Sequence, residues 1–244
     1  MATHGKKTRV LVNGYDLSRF FRSASIDGEV ELLDTTTFQA SAKTYIIGMP
    51  DSKASLEGLF SSNADALAPN EVDDILQPIL GTDSELFVLI AQGDIAAVGD
   101  ACQIFSGRET KYSVTSPFNG VTSCMAEIQA DNGIRAALAL AGLAARTATG
   151  AGASVDNAVA TAAGFHASLH VTEASAADTL DVIIEDSADG STWATIGTFP
   201  QVSAIGAERL EIAGAVRRYV RASWTIAGTS PSFTFAVGFA RLLF

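Results

Sequence analysis

Along "FHASLHVT" (165–172) apolar and polar residues alternate without a break, with Phe165, Ala167, Leu169 and Val171 on one side and His166, Ser168, His170 and Thr172 on the other. A side-chain period of two belongs to a β-strand, since a helix would spread both sets around its circumference. The pattern returns in "YVRASWTI", where Val220, Ala222, Trp224 and Ile226 face inward and Tyr219, Arg221, Ser223 and Thr225 face outward. It returns again in "SFTFAVGFARL", with Phe233, Phe235, Val237 and Phe239 on one face. "TLDVIIE" and "TWATIGTF" flank Asp189-Gly190, a two-residue hairpin signal of the type I′ kind. Strands packed this densely predict a small β-sandwich over the C-terminal part of the chain.

Upstream the signals are also mostly strand. Val10 and Val12 precede an Asn13-Gly14 turn, and Val30 and Leu32 alternate with Glu29 and Glu31. "TYIIGM" (44–49) and "ELFVLIA" (85–91) are short apolar runs between turn residues. "KYSVTSP" and "VTSCMAEIQA" flank a Phe118-Asn119-Gly120 turn. One helix is predicted, from Asn70 to Leu80, with Asn70 as its cap, acids in its first turn and Pro78 ending it early. "GIRAALALAGLAAR" (133–146) suits a helix by its alanines but a strand by alternation, and its strand neighbours favour strand. The small, glycine-bearing segment 147–164 reads as an entry to a second domain.

Composition narrows the function. Of 244 residues, 48% are hydrophobic and 18% charged, which describes a packed globular chain and not a disordered one. A net charge of −11 opposes wrapping nucleic acid, which needs a basic face, but suits a channel through which DNA slides without sticking. There is no apolar run of about 18 residues, so no membrane span is expected, and "MATHGKKTRV" lacks the apolar core of a secretory signal. Cys102 and Cys124 have no partner cysteines in a zinc or disulfide pattern and read as buried, reduced thiols, with folding in the cytoplasm.

Candidate chemistry is thin. His166 and His170, on one face of a strand, stand roughly 13 Å apart at about 3.3 Å per residue, too far to share a tetrahedral metal, and are expected to face solvent. "EDSADGSTW" resembles a calcium loop, but with Gly190 as its sixth position Ile196 falls where a bidentate glutamate is required. No nucleophile elbow, phosphate loop or dinucleotide fingerprint occurs. The expectation is no catalytic, cofactor or metal site, and no enzyme.

The segment 34–60 carries a resemblance instead. Asp34, Thr36, Thr37 and Phe38, then Lys43, Tyr45, Ile46 and Gly48, then Leu56, Gly58 and Phe60 resemble the major tail proteins, or tail tube proteins, of long-tailed phages with non-contractile tails. "VLVNGYDLSRFF" is similar to that family's first strand and turn. "TATG" at 147–150, "DSADGSTW" at 186–193 and "RRYVRASWTIAGTSPSFTFAVGFAR" at 217–241 look like a β-sandwich module appended to phage structural proteins.

The resemblance implies a mainly β chain, with a tail-tube-type domain over 1–145 containing one short helix and a smaller decorating β-sandwich over 146–244. It implies a virion structural subunit, assembled in the host cytoplasm, whose hexameric rings stack into a tube. Its partners would be itself, the tape measure and the tail terminator, with DNA passing through the lumen unbound. In that setting residues 1–145 are expected to suffice for the tube. The N-terminal arm and the Asp34–Ala42 loop, through threonine hydroxyls and Phe38, are expected to become ordered at contacts between subunits. An alternative is a phage surface sandwich that binds host-cell glycans. It would need exposed aromatics, whereas Trp193 and Trp224 are both expected to be buried.

Overall fold

The computed structural model describes residues 5–63 and 71–242. In chain order the strands are β1 (Arg9–Val12), β2 (Tyr15–Asp16), β3 (Phe21–Asp34), β4 (Tyr45–Leu59), β5 (Leu86–Ala91), β6 (Ala101–Thr115), β7 (Ser123–Arg146) and β8 (Gly150–Ala151). They continue with β9 (Val155–Asp156), β10 (Phe165–Ala174), β11 (Thr179–Ser187), β12 (Ala194–Thr198), β13 (Gly206–Ile212), β14 (Tyr219–Ala227) and β15 (Phe233–Arg241). The one α-helix among the described residues, α1, spans Val72–Leu76. The fold is mainly β, as expected.

Contacts part the chain discontinuously. Met1–Arg19, Leu86–Ile104 and Arg135–Phe244 form one compact unit, and Phe20–Glu85 with Phe105–Ile134 form the other. A division at residue 145 is therefore a proposal about which residues meet other copies, not about which residues fold together.

The first unit has two sheets. One runs β13-β10-β15-β7-β6-β5-β1-β2, and the other runs β12-β11-β14-β8 with β9 also on β14. Phe165 and Leu169 of β10 and Phe233 and Phe235 of β15 pack against Leu180, Val182 and Ile184 of β11 and Val220 and Ala222 of β14. This is the sandwich core that alternation predicts. The rings of Phe165 and Phe239 stack with centroids 5.1 Å apart.

The opposite face of the larger sheet is buried as well. Ala137 and Ala139 of β7 and Ala236 and Ala240 of β15 pack with Leu11 of β1, Leu89 of β5 and Ile104 of β6. The alanines of 133–146 are explained by this layer. They sit on a strand covered on both sides, and packing overrides their helix propensity. The ends of the sheet approach each other where Gly14, at φ 85°, meets the backbone of Gly206 with no room for a Cβ.

Burial on both faces corrects one expectation. His170 is completely buried and His166 largely so, because β10 is a central strand whose polar-looking side is also covered. Trp224 is only half-buried: it meets Phe235 edge-on at 5.5 Å, and its Nε1 donates to the Ala148 carbonyl at 3.1 Å. Trp193 is likewise half-buried. At Asp189-Gly190 the turn is longer than the two-residue type. β11 ends at Ser187 and β12 starts at Ala194, and only Gly190 of the pair has positive φ. The Asp189 carboxylate instead accepts from the amides of Ser191 and Thr192, at 2.9 and 2.8 Å.

In the second unit β4 pairs with β3 on one side and, over Lys53–Leu59, with β7 on the other. Ala54, Leu56, Val72, Ile75, Leu76, Phe105, Ala126 and Ile128 are buried there. The helix is shorter than predicted, because Pro78 ends the regular turns early. The expected cap at Asn70 lies outside the described residues. Tyr112 fixes the helix to β6 by donating to Asp73 at 2.9 Å.

Arg146 is held between the Trp224 and Phe235 rings, 4.7 and 4.2 Å from their centroids, so Trp224 carries part of the packing of β7 on β14 and β15. Trp224→Ala is expected to cost about 2 kcal/mol, below the roughly 3–5 kcal/mol of a fully buried tryptophan, as read by denaturant unfolding.

Candidate functional site

The most unusual surface of the chain is the distal half of the β3–β4 ribbon. Near its base Ile26 pairs with Ala54 and Ala24 with Leu56, and Ala54 and Leu56 are buried. Gln129 anchors this base by donating to the Ser52 carbonyl at 2.9 Å and to Asp51. At the root, Gly58 lies so close to Phe20 and Phe21 of the paired strand that a Cβ would strike backbone. This accounts physically for one glycine of the sequence resemblance.

Beyond Gly28 the ribbon has nothing to pack against. Leu32 pairs with Ile47 and Leu33 with Ile46, both on the tip side of a register shift between Val30 and Leu32. Directly paired residues share a face and successive ones alternate, so Leu32 and Ile47 form an apolar patch on one face and Leu33 and Ile46 on the other. All four are exposed, Ile47 at 76%, and Met49 beside them is at 89%. Among the described residues both edges of this part are open: β3 pairs only with β4, and the β4 residues 45–52 pair only with β3. The signal was present as consecutive apolar pairs, Leu32-Leu33 and Ile46-Ile47. In a lone ribbon such a pair greases both faces.

The tip is closed by its own threonines. Thr35 N–H donates to the Thr44 carbonyl at 2.9 Å, Thr44 N–H to Thr36 Oγ1 at 3.0 Å, and Thr36 N–H to the Asp34 carboxylate at 2.8 Å. These bonds from Thr36 hold the Asp34 carboxyl below its ordinary pKa. Of the hydroxyls expected to reach a neighbour, those of Thr35 and Thr36 are thus engaged within the loop, Thr35 Oγ1 donating to Thr44 Oγ1 at 3.2 Å. Phe38 projects from it fully exposed. Of the N-terminal arm, residues 1–4 lie outside the described part, and Gly5–Lys7 form a single 3₁₀ turn.

No cluster of His, Cys, Asp and Glu with metal-ligating geometry occurs among the described residues. Both cysteines are free and buried, and burial pushes the Cys102 thiol up to about 12 and raises that of Cys124, so neither is a ready nucleophile. No described helix is long and apolar enough to cross a membrane.

No family model matches the chain, and no curated protein matches it. Among solved structures it is similar to a chain of the virion of a native gene transfer agent particle, at 17% identity and TM-score 0.40, over 55% of this chain and 97% of that one. A chain in the tail of an empty particle of the same kind, refined with C6 symmetry, gives 16% and 0.40 over the same shares. The SPP1 Dit protein, from the hub adsorption apparatus of phages infecting Gram-positive bacteria, is similar at 11% and 0.39, over 97% of this chain and 99% of that one. Overlaps this loose carry no inference about function.

Burial couples three titratable groups to the stability of the fold. Burial lowers His170 from 6.5 to about 3, and burial, then Arg209 and Arg135, lower His166 to about 4. Neither ring nitrogen of His170 has a hydrogen-bond partner. Folding holds both rings neutral, so their stability contribution is intact above pH 6.5 and is lost as pH falls toward 3–4. Glu109 is the reverse case. Burial raises it from 4.5 to about 8, and its unpartnered oxygens favour the protonated form. Its contribution is intact below pH 4.5 and is lost as pH rises through about 8. In melting temperature against pH, His170→Leu is expected to flatten the acid limb and Glu109→Gln the alkaline limb. Parallel curves for variant and wild type would refute this.

Proposed function

We propose that the chain is a virion structural protein, a subunit of a phage tail tube that joins copies of itself into hexameric rings and stacks them as a conduit for the genome. The observation that carries this reading is the ribbon of residues 28–50, apolar on both faces and unpaired on both edges. A two-stranded ribbon in water is marginal on its own, and open apolar edges draw other chains. Copies of the same chain are the partner always at hand, and edge pairing between them closes the sheet without free edges. The sequence resemblance of 34–60 covers this same element.

The other parts follow from the same reading. The net charge of −11 suits a conduit that repels DNA phosphates. The tube contacts lie chiefly in residues 1–145, and the β11–β12–β14 sheet within 146–244 decorates the outside. The tape measure and tail terminator are the expected partners at the lumen and the tube end. The glycan-binding alternative is disfavoured by the tryptophans. Arg221 lies 4.1 Å over the Trp193 ring and is itself paired with Glu185 at 2.8 Å, while Arg146 covers Trp224. Each ring thus has one face taken by an arginine.

Negative-stain electron microscopy of the purified chain is expected to show six-fold rings or tubes, and compact single particles at every concentration would refute the proposal. Leu32→Glu with Ile47→Lys places an opposite-charge pair at one cross-strand position and removes one apolar patch. This double variant is expected to keep its fold by circular dichroism and to need roughly 100-fold more protein to assemble, as two interface anchors lost together imply.

A further inference from the structure

A second feature fits the ribbon tip. In the first compact unit a cleft of about 430 Å³ is lined by Cys102, Ala137, Leu138 and Phe239, with Gln103 and Arg241 also in its wall. Its volume lies in the range that holds a small ligand or an anchoring side chain. Among the described residues Gln103 Oε1 and Arg241 Nε are both screened from water and have no hydrogen-bond partner, although Arg241 Nη1 donates to the Asn157 carbonyl at 3.3 Å. An acceptor and a donor left unmet beside an apolar cleft match a peptide backbone, which brings one N–H and one C=O per residue.

Resting on the assembly reading above, we propose that this cleft receives the ribbon tip of a second copy, with Phe38 as the inserted side chain. Two observations converge on that occupant. Phe38 is fully exposed on a loop already closed by internal hydrogen bonds, so little ordering entropy is lost when it docks. Residues 27–53 carry five acids (Asp27, Glu29, Glu31, Asp34, Asp51) against Lys43 and Lys53, while the one charged residue lining the cleft is Arg241. The ribbon that carries the tip is therefore net acidic and the cleft wall holds a cation, which favours their approach, although the tip loop itself pairs one acid, Asp34, with one base, Lys43. The Phe38 ring fills the apolar floor, and side-chain rotation turns Gln103 and Arg241 onto the backbone beside it. Because tip and cleft are different surfaces, the contact is head-to-tail, which propagates into rings or stacked filaments and does not stop at a two-fold dimer.

The head-to-tail geometry supplies the test. Ala136→Trp, or Ala101→Trp, adds an indole at an exposed position lining the cleft and leaves the tip intact. Phe38→Asp spoils the tip and leaves the cleft intact. Each variant alone is expected to remain folded by circular dichroism and to self-associate roughly 30-fold more weakly or worse, the loss of one anchor residue. Mixed, the two variants are expected to form one-to-one dimers by sedimentation and to grow no further, since only one productive junction is left. If either cleft-filled variant assembles like the wild type, or the mixture stays monomeric while the wild type assembles, the cleft assignment is overturned and the assembly reading stands. A wild-type chain that never associates overturns both.

Discussion

Every strand in water has two edges to pair and two faces to cover, and the architecture follows from where this chain meets that demand internally and where it does not. In the first compact unit it is met almost completely. The smaller sheet covers one face of the larger, whose opposite face packs on itself, the alanines of β7 and β15 meeting β1, β5 and the start of β6 of the same sheet. The close approach of Gly14 to Gly206 brings the two ends of the larger sheet together. In the second unit the demand is met only as far as Gly28 and Ser52, where β7 and the residues buried around it run out. From there the ribbon continues with neither edges nor faces supplied. A hairpin can be exposed for solubility if it is charged. This one carries charges, but its upper part also exposes Leu32, Leu33, Ile46, Ile47 and Met49.

The two units also illustrate the two costs of burying polar groups. His170 has both ring nitrogens unpartnered and stays neutral because a charged ring there would have neither water nor a counter-ion. Glu109 solves the same problem by keeping its proton. One group penalises acid and the other alkali, so the fold is bracketed from both sides around neutrality.

Much of the fold was legible because the sandwich strands are amphipathic or flanked by turn residues. Phe165, Leu169, Val220 and Phe235 alternate with polar neighbours, and all four are core. What escaped was set by contacts distant in sequence. The outward side of β10 looked solvated, yet β1 and β5, more than 70 residues upstream, belong to the layer on that side of the sheet. The alanines of β7 were ambiguous for the same reason, since the thin layer they fill is made by other parts of the chain. The helix was overextended because an amphipathic pattern continues past Pro78, where the backbone cannot follow. The ribbon was visible as the consecutive apolar pairs Leu32-Leu33 and Ile46-Ile47, but not as an uncovered element. Showing that a face lacks a partner requires knowing where every other residue went.

Self-association of a chain with net charge −11 has to overcome mutual repulsion, and this limits which surfaces can serve. A junction of acidic surfaces alone would be repulsive at every approach. A junction built from apolar ribbon faces and one aromatic tip gains from water release without regard to sign, and each individual contact is modest. In a closed ring each subunit makes the same contact on both sides, and stacking adds more, so modest junctions sum to a stable assembly through effective concentration. Prior closure of the tip by Thr35, Thr36 and Thr44 matters in this light. Ordering about ten loop residues at the moment of contact would cost about 1–2 kcal/mol each, more than one aromatic anchor returns. Spending the threonine hydroxyls inside the loop leaves the hydrophobic contact free to favour assembly.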